Sequence, residues 1–189
     1  MQFLLTKMQD IYATAEVCLP RSNGKQCKRL EPDLNDIFVK SKDYCELQWA
    51  WEGWRNETGK KMRGLFMSYS LLENEAAQAN GFENAKMLWT RSFTYDDPSY
   101  FEQVEKAWND VKPLYQELHA YVRRKLMERY SGFENQFPNS RHIPAHLLGN
   151  MWAQVWQDLY DLVIPYPEAA SINLDQLLTD NVSPSLFLI

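Results

Sequence analysis

Three tryptophans and an arginine crowd one short stretch of this chain, at Trp49, Trp51, Trp54 and Arg55. On a helix, Trp51, Trp54 and Arg55 are three to four residues apart, so their side chains occupy neighbouring positions of one surface. Each indole buries roughly 150–250 Å², so such a cluster is rarely left in solvent. Two interpretations follow. The stretch is a packed helix whose arginine reaches water, or it is an anion or carboxylate site under a tryptophan lid, because a buried guanidinium needs an anionic partner.

His142 and His146 are four residues apart, which is the spacing of a helical metal pair. A metalloprotease helix has a glutamate directly after the first histidine as general base, and Ile143 stands there instead. Pro144 also starts a helix between the two histidines, so we do not expect them to share a face. The sequence contains no phosphate loop, nucleophile elbow or dinucleotide fingerprint either. It therefore predicts no metal ligand and no catalytic residue.

The three cysteines give evidence both for and against a disulfide. Cys18 and Cys27 flank a polar loop in which Pro20 and Asn23-Gly24 favour turns, so the two thiols can meet as a disulfide. Cys45 is left over, and an odd number of cysteines argues against a disulfide framework.

Composition excludes two classes of partner. The net charge is −5 and the pI is near 5.3, whereas nucleic-acid binding requires a basic face. No apolar run approaches the roughly 20 residues that cross a bilayer, and residues 1–7 become polar too soon for a signal peptide.

The aromatic content of 14% suggests more burial, or a larger partner surface, than a domain of this size usually needs.

Apolar residues recur at helical spacing along most of the chain, and no useful stretch alternates as a strand does, so the predicted fold class is all-α. Asp43 is expected to cap the tryptophan helix, with Glu46 completing a capping box and Gly59 closing the helix. The predicted helices are 4–17, 43–59, 62–81, 85–93, 98–130 and 144–162. The fifth begins at Asp97-Pro98 and contains Pro113. At about 50 Å it would cross the whole molecule, as expected of an element cut from a larger fold.

Three motifs together carry a family resemblance: Trp-Ala-Trp-Glu-Gly-Trp-Arg at 49–55, Leu-His-Ala-Tyr-Val-Arg-Arg at 118–124, and Ile-Pro-Ala-His-Leu-Leu-Gly-Asn-Met-Trp-Ala-Gln at 143–154. Over about residues 4–175 the chain resembles the angiotensin-converting enzyme family of zinc peptidyl-dipeptidases. Members of that family are secreted or membrane-anchored, and remove C-terminal dipeptides from peptides. They are mostly helical, in two halves around a deep cavity with zinc at its floor. The resemblance implies that this chain is a helical fragment of that fold.

Residue by residue, the resemblance implies specific roles. Cys18 and Cys27 match a disulfide pair of the family, which points to an oxidising compartment. Arg55 matches an arginine that holds a buried chloride, and Glu31 an acidic residue facing the outer substrate cavity. Phe93 stands where the family has a tyrosine at a second chloride, and phenylalanine has no hydroxyl to donate. Glycosylation sequons occur at Asn56-Glu57-Thr58 and at Asn181-Val182-Ser183.

The resemblance also implies what the chain lacks. The zinc helix with its His-Glu-x-x-His motif and the third zinc ligand lie downstream in the family, and the lid helices lie upstream. We therefore predict a partial peptidyl-dipeptidase domain over 1–175, an unrelated tail over 176–189, and no zinc site or activity in this chain alone. Peptide substrates and an extracellular location are expected of the full-length family. Two other hypotheses remain open: a catalytically dead helical module that binds proteins, and a piece complemented by the remainder of the enzyme on a separate segment.

Overall fold

A helix capped by Asp43 carries the tryptophan stretch. The Oδ1 atom of Asp43 accepts a hydrogen bond from the backbone N–H of Glu46 at 2.7 Å, as predicted. The reciprocal half of the capping box is not formed: the hydroxyl of Ser41 donates to the Glu46 carboxylate at 2.7 Å and accepts from the backbone N–H of Asp43 at 3.2 Å. Ser41 thus links the backbone N–H of Asp43 to the Glu46 carboxylate, two groups that a capping box would have joined directly.

The computed structural model describes residues 1–19, 26–94, 97 and 99–168. Its α-helices are α1 (Gln2–Thr14), α2 (Asn35–Lys40), α3 (Tyr44–Glu57), α4 (Gly59–Ala79), α5 (Ala85–Thr94), α6 (Tyr100–Arg129) and α7 (Tyr160–Val163). A π-type turn at Leu30–Leu34 leads into α2. The predicted all-α class is confirmed, since the strands in this part of the chain are two residues long. No helix among the described residues is both long and apolar enough to cross a membrane.

Two short strands form a small sheet beside the helices. Strand β1 (Val17–Cys18) pairs antiparallel with β2 (Cys27–Lys28), and Cys18 lies opposite Cys27. Helix α1 therefore ends at Thr14, three residues earlier than predicted, because Val17 joins β1.

Strand β1 passes directly over α3 at Gly53. A Cβ atom at Gly53 would lie 2.3 Å from Cγ1 of Val17, so only a glycine lets the two backbones approach this closely. Helix α3 itself ends at Glu57, and Gly59 begins α4 rather than closing α3 as predicted.

The core forms around the inner face of α3. Leu47, Ala50 and Trp54 are buried there, in the same apolar cluster as Val122 and Leu126 near the end of α6. The other buried members from the second half of the chain are Tyr130, Phe137, Ile143, Leu147, Leu148, Met151 and Leu159. The core therefore joins α3 to residues about a hundred positions later, and only the last third of α6 takes part in it.

The predicted helix over 144–162 is wrong. This region consists of 3₁₀ turns at Ala145–Leu147 and Gln157–Leu159 before the short α7. Asn150 turns its side-chain oxygen onto the backbone N–H groups of Trp152 and Gln154, which competes with helical hydrogen bonds. Gly149 has φ +83° and Ala153 has φ +58°, conformations that a right-handed helix does not contain.

Helix α6 begins at Tyr100, two residues after the predicted start, and Pro113 lies inside it as predicted. Asp97 accepts hydrogen bonds from both the backbone N–H and the hydroxyl of Ser99, and these bonds lower the pKa of the Asp97 carboxyl. Pro98 lies outside the described residues. At about 1.5 Å per residue the 30-residue helix is about 45 Å long.

One stripe of α6 is apolar and exposed. Its members recur at alternating steps of three and four residues, which is the spacing of a seam that packs on another helix. They are Phe101, Val104, Trp108, Val111, Tyr115 and Leu118, and we call this set the α6 seam. The next position of the same pattern, Val122, is buried in the core. The α6 seam is thus the uncovered continuation of a packed helix face.

Candidate anion site at Arg55

The guanidinium of Arg55 is held between α3 and the turn that follows Gly149. Its Nη2 donates to the carbonyl oxygen of Met151 at 2.7 Å, and its Nη1 lies 3.2 Å from the Met151 sulfur. The planar group also stacks on the Trp51 ring, with 3.7 Å between the guanidinium carbon and the ring centroid. The predicted shared surface of Trp51 and Arg55 is therefore present, and cation–π attraction adds to it.

Trp54 faces the other way, into the core. Only 3% of its surface is exposed, and its ring meets Tyr12 of α1 edge-on at 5.3 Å between centroids. The tryptophan cluster is thus divided: Trp54 anchors α3, and Trp51 covers Arg55.

Arg55 is half-buried and has no counter-ion in the described part of the chain. The ion pairs there join other residues, and the polar partners of Arg55 are backbone carbonyls and a thioether. Burial lowers the pKa of Arg55, with no carboxylate to oppose that effect. The buried indole Nε1 of Trp51 also has no hydrogen-bond acceptor among the described residues. A cation and an N–H donor that both lack an anionic partner are groups that can together bind a chloride or a carboxylate.

Zinc does not fit the residues in this structure. Among the described side chains, no three of the His, Cys, Asp and Glu type come close enough together to hold a metal ion. His146 is buried edge-on against the Tyr44 ring at 4.6 Å, whereas His142 is exposed with its Nδ1 3.2 Å from the Ser140 hydroxyl. The two histidines thus have different surroundings.

A disulfide joins Cys18 to Cys27, which ties the ends of the loop between β1 and β2. The pairing that the spacing left open and the family resemblance favoured is present. Cys45 is free and exposed on the first turn of α3.

The other predicted residues lie apart from Arg55 in the structure's contacts. Glu31 is exposed in the Leu30–Leu34 turn, where its carboxylate accepts a hydrogen bond from the Asn35 amide. Phe93 is exposed and stacks on Tyr100 at 5.7 Å. Their roles at the substrate cavity and at a second chloride remain predictions.

Asn56 is exposed near the end of α3 and borders a cavity beside Cys18. The hydroxyl of Thr58, the third residue of its sequon, is buried and donates to the Trp54 carbonyl at 2.7 Å. Glycosylation at Asn56 remains a prediction, and the sequon at Asn181 lies outside the described residues.

No sequence pattern indicated the main partner of Arg55. Met151 is 96 residues away, in a region predicted as a regular helix. In such a helix its carbonyl would be occupied by a helical hydrogen bond; the turn at Gly149 and Asn150 frees it to accept from the guanidinium.

A model of the angiotensin-converting enzyme peptidase family matches residues 1–184. The chain belongs to this family. Its members are zinc metallopeptidases that act on peptides. The match passes the predicted boundary at residue 175, and because residues 169–189 are outside the described part, the division into a domain and an unrelated tail remains a prediction.

Individual relatives show how much of a family member's length this chain spans. It is 44% identical over 179 residues to the angiotensin-converting enzyme of Theromyzon tessulatum, which covers 94% of the chain but 28% of that relative. It is 45% identical over 175 residues to the mouse angiotensin-converting enzyme-like protein Ace3, covering 93% of the chain and 23% of the relative. For the rabbit angiotensin-converting enzyme the identity is 43% over 172 residues, or 90% of the chain and 13% of the relative. The chain thus spans less than a third of each.

Proposed function

We propose that this chain is part of the catalytic domain of a peptidyl-dipeptidase and supplies one wall of it. The zinc centre and the hydrolytic chemistry belong to residues outside these 189. The half-buried Arg55, which lacks a counter-ion beside the unpartnered Trp51 indole, carries the proposal. At this position the wall holds a chloride, and Glu31 faces the peptide substrate.

Two surface features support an extracellular location for the whole protein. The Cys18–Cys27 disulfide is a bond that persists in oxidising compartments. Asn56 is exposed where a glycan would have room.

Chloride binding at Arg55 is tested by unfolding the chain in sodium chloride and in sodium gluconate at equal ionic strength. Chloride that binds only the folded chain stabilises it by RT ln(1 + [Cl⁻]/Kd), about 1.4 kcal/mol at ten times Kd. We expect Arg55→Gln to abolish the difference between the salts, and the exposed Arg63→Gln in α4 to retain it. Equal stability of the parent chain in both salts would contradict the chloride site.

The absence of intrinsic activity has a separate test. We expect the recombinant chain to bind no stoichiometric zinc and to release no dipeptide from an N-blocked tripeptide. Stoichiometric zinc binding, or release of the dipeptide, would show that these 189 residues contain a zinc centre.

A catalytically dead binding module is the second proposed function, because the α6 seam offers a protein partner an apolar surface. A soluble monomer that unfolds cooperatively supports the module. A product that aggregates, and that becomes soluble when the remainder of a family domain is co-expressed on a separate chain, supports the partial domain.

A further inference from the structure

A second, cationic site lies between α6 and the loop that follows it. The cleft has a volume of about 690 Å³ and is lined by His119 and Arg123 from α6 and by Ser140, Arg141 and His142 from the loop. Glu117 is the acidic residue of its lining. Two arginines and two histidines thus face one carboxylate, in a chain whose net charge is −5.

Arg123 fixes the shape of this cleft. Its Nε donates to the His142 carbonyl at 3.3 Å and its Nη2 to the Pro138 carbonyl at 3.2 Å, so the guanidinium ties the loop to the helix. Its Nη1 also lies 2.9 Å from the Met127 sulfur, so of the five guanidinium N–H groups one on Nη1 and one on Nη2 remain for a ligand. No carboxylate pairs with Arg123 in the described part of the chain.

The remaining donors come from the loop and from the inner wall. Arg141 is exposed, makes no ion pair with a described residue, and is held at φ +68° in a turn closed by its N–H bond to the Pro138 carbonyl at 3.1 Å. The Ser140 hydroxyl lies 3.2 Å from the His142 Nδ1. His119 is backed by the Trp156 ring at 6.3 Å. Burial lowers the pKa of His119, and the neighbouring cationic groups of His142 and Arg123 lower it further.

We propose that this cleft binds a doubly charged tetrahedral oxyanion, a phosphate or sulfate group, between Arg123, Arg141 and the two histidines. Guanidinium groups pair with such oxyanions through short charge-assisted bonds, and the neutral or protonated imidazoles supply further donors. The site is separate from Arg55 and does not depend on the proposed peptidase role.

Histidine NMR signals test the proposal directly, because the chain has three histidines and two of them line the cleft. The probe is inorganic phosphate, compared with acetate and chloride at constant pH and ionic strength. We expect phosphate to shift the ring signals of His119 and His142 saturably, while the signal of the buried His146 stays in place as an internal control. Sulfate should behave as phosphate does.

Matched charge variants complete the test. Arg141→Gln should weaken phosphate binding at least about fivefold, since one charge-assisted bond is lost. Arg124→Gln removes the same charge from an exposed position of α6 outside the cleft lining, and should leave the affinity unchanged.

Several results would overturn the proposal. A response to chloride or acetate as large as that to phosphate would show general charge screening. Equal weakening in both variants would show a diffuse effect of net charge. Unshifted His119 and His142 signals, in a chain whose His146 signal is at its folded position, would show that the cleft does not bind phosphate as described.

Discussion

A buried neutral histidine packs where the 145–147 turn meets α3. His146 is 7% exposed, its ring lies edge-on to Tyr44, and Tyr44 in turn stacks on Phe133 at 4.2 Å. Its Nε2 has no hydrogen-bond partner in the described structure. Burial lowers the pKa of His146 to about 4, and the nearby Glu52 only partly opposes this shift. Protonation of this ring would therefore place an unpaired charge in the core.

The chain is therefore expected to lose stability on mild acidification. Between the unfolded pKa of 6.5 and the folded value of about 4, the unfolded chain binds a proton that the folded chain does not, so stability falls as the pH drops through this window. From pH 7 to pH 5 the free energy of unfolding should decrease by about 2 kcal/mol on account of His146. Urea unfolding at a series of pH values measures this decrease.

Two variants separate this histidine from other titrating groups. His146→Gln should flatten the pH dependence between 5 and 7, whereas His142→Gln, at an exposed position, should preserve it. A parent chain with constant stability over this range would contradict a buried neutral His146.

At the scale of single residues, the sequence predicted part of the Arg55 site. The spacing of Trp51 and Arg55 on one helix was sufficient to place their side chains together, because helical geometry alone determines it. The contact with the Met151 carbonyl depends on a turn far along the chain, which local spacing does not encode.

The packing of β1 on α3 depends on the missing side chain at Gly53. Gly53→Ala would gain helix propensity of about 1 kcal/mol, but its methyl group would overlap the Val17 side chain. Val17 is β-branched and buried, so it cannot easily move aside. Since overpacking costs about 1–3 kcal/mol, we expect a net loss of up to about 2 kcal/mol in the free energy of unfolding. Chemical denaturation measures it.

Gly64 in α4 provides the matched control. A Cβ atom there meets nothing within 4 Å, so Gly64→Ala should stabilise the chain by about 0.5–1 kcal/mol. If Gly53→Ala stabilised the chain equally, the close approach of β1 to α3 would be refuted.

The elements that sequence reasoning predicted best are those whose termini have local causes. Helix α4 stops at Asn80, directly before Gly81 at φ +82°, as the Asn-Gly pair indicated. The region 144–162 failed because apolar spacing reports which residues are buried, and Leu147, Met151 and Leu159 are buried in turns just as they would be in a helix. The deciding features, the Asn150 cap and the left-handed Ala153, leave no periodic signature.

For the molecule as a whole, the α6 seam is an extended apolar surface without a partner in the described structure. It continues the packed face of Val122, so it has the geometry of a helix interface rather than of scattered apolar residues. The chain covers less than a third of its relatives' lengths, and in a longer protein other segments are available to cover this seam.

Alone, the chain is expected to associate through the α6 seam. Sedimentation velocity should show association that increases with concentration, and Val111→Lys should weaken it at least about tenfold, because a charge would be buried at the contact. Val39→Lys is the control: both valines are about half exposed, at 54% and 48%, but Val39 lies on α2. Equal effects of the two substitutions would place the contact elsewhere.

Helix α6 combines two environments along one continuous helix that contains Pro113. Its residues 101–118 are exposed, whereas Val122 and Leu126 are fixed in the core. Isolated helical segments of this length are marginal in water, so the first two-thirds of α6 should open locally far more often than the last third. In the chain alone, amide hydrogens near Trp108 would exchange with solvent quickly and those near Leu126 slowly. The same gradient makes the bond after Lys106 the first in this helix that a trypsin-like protease would cut, since the bond after Lys112 precedes Pro113 and resists such proteases.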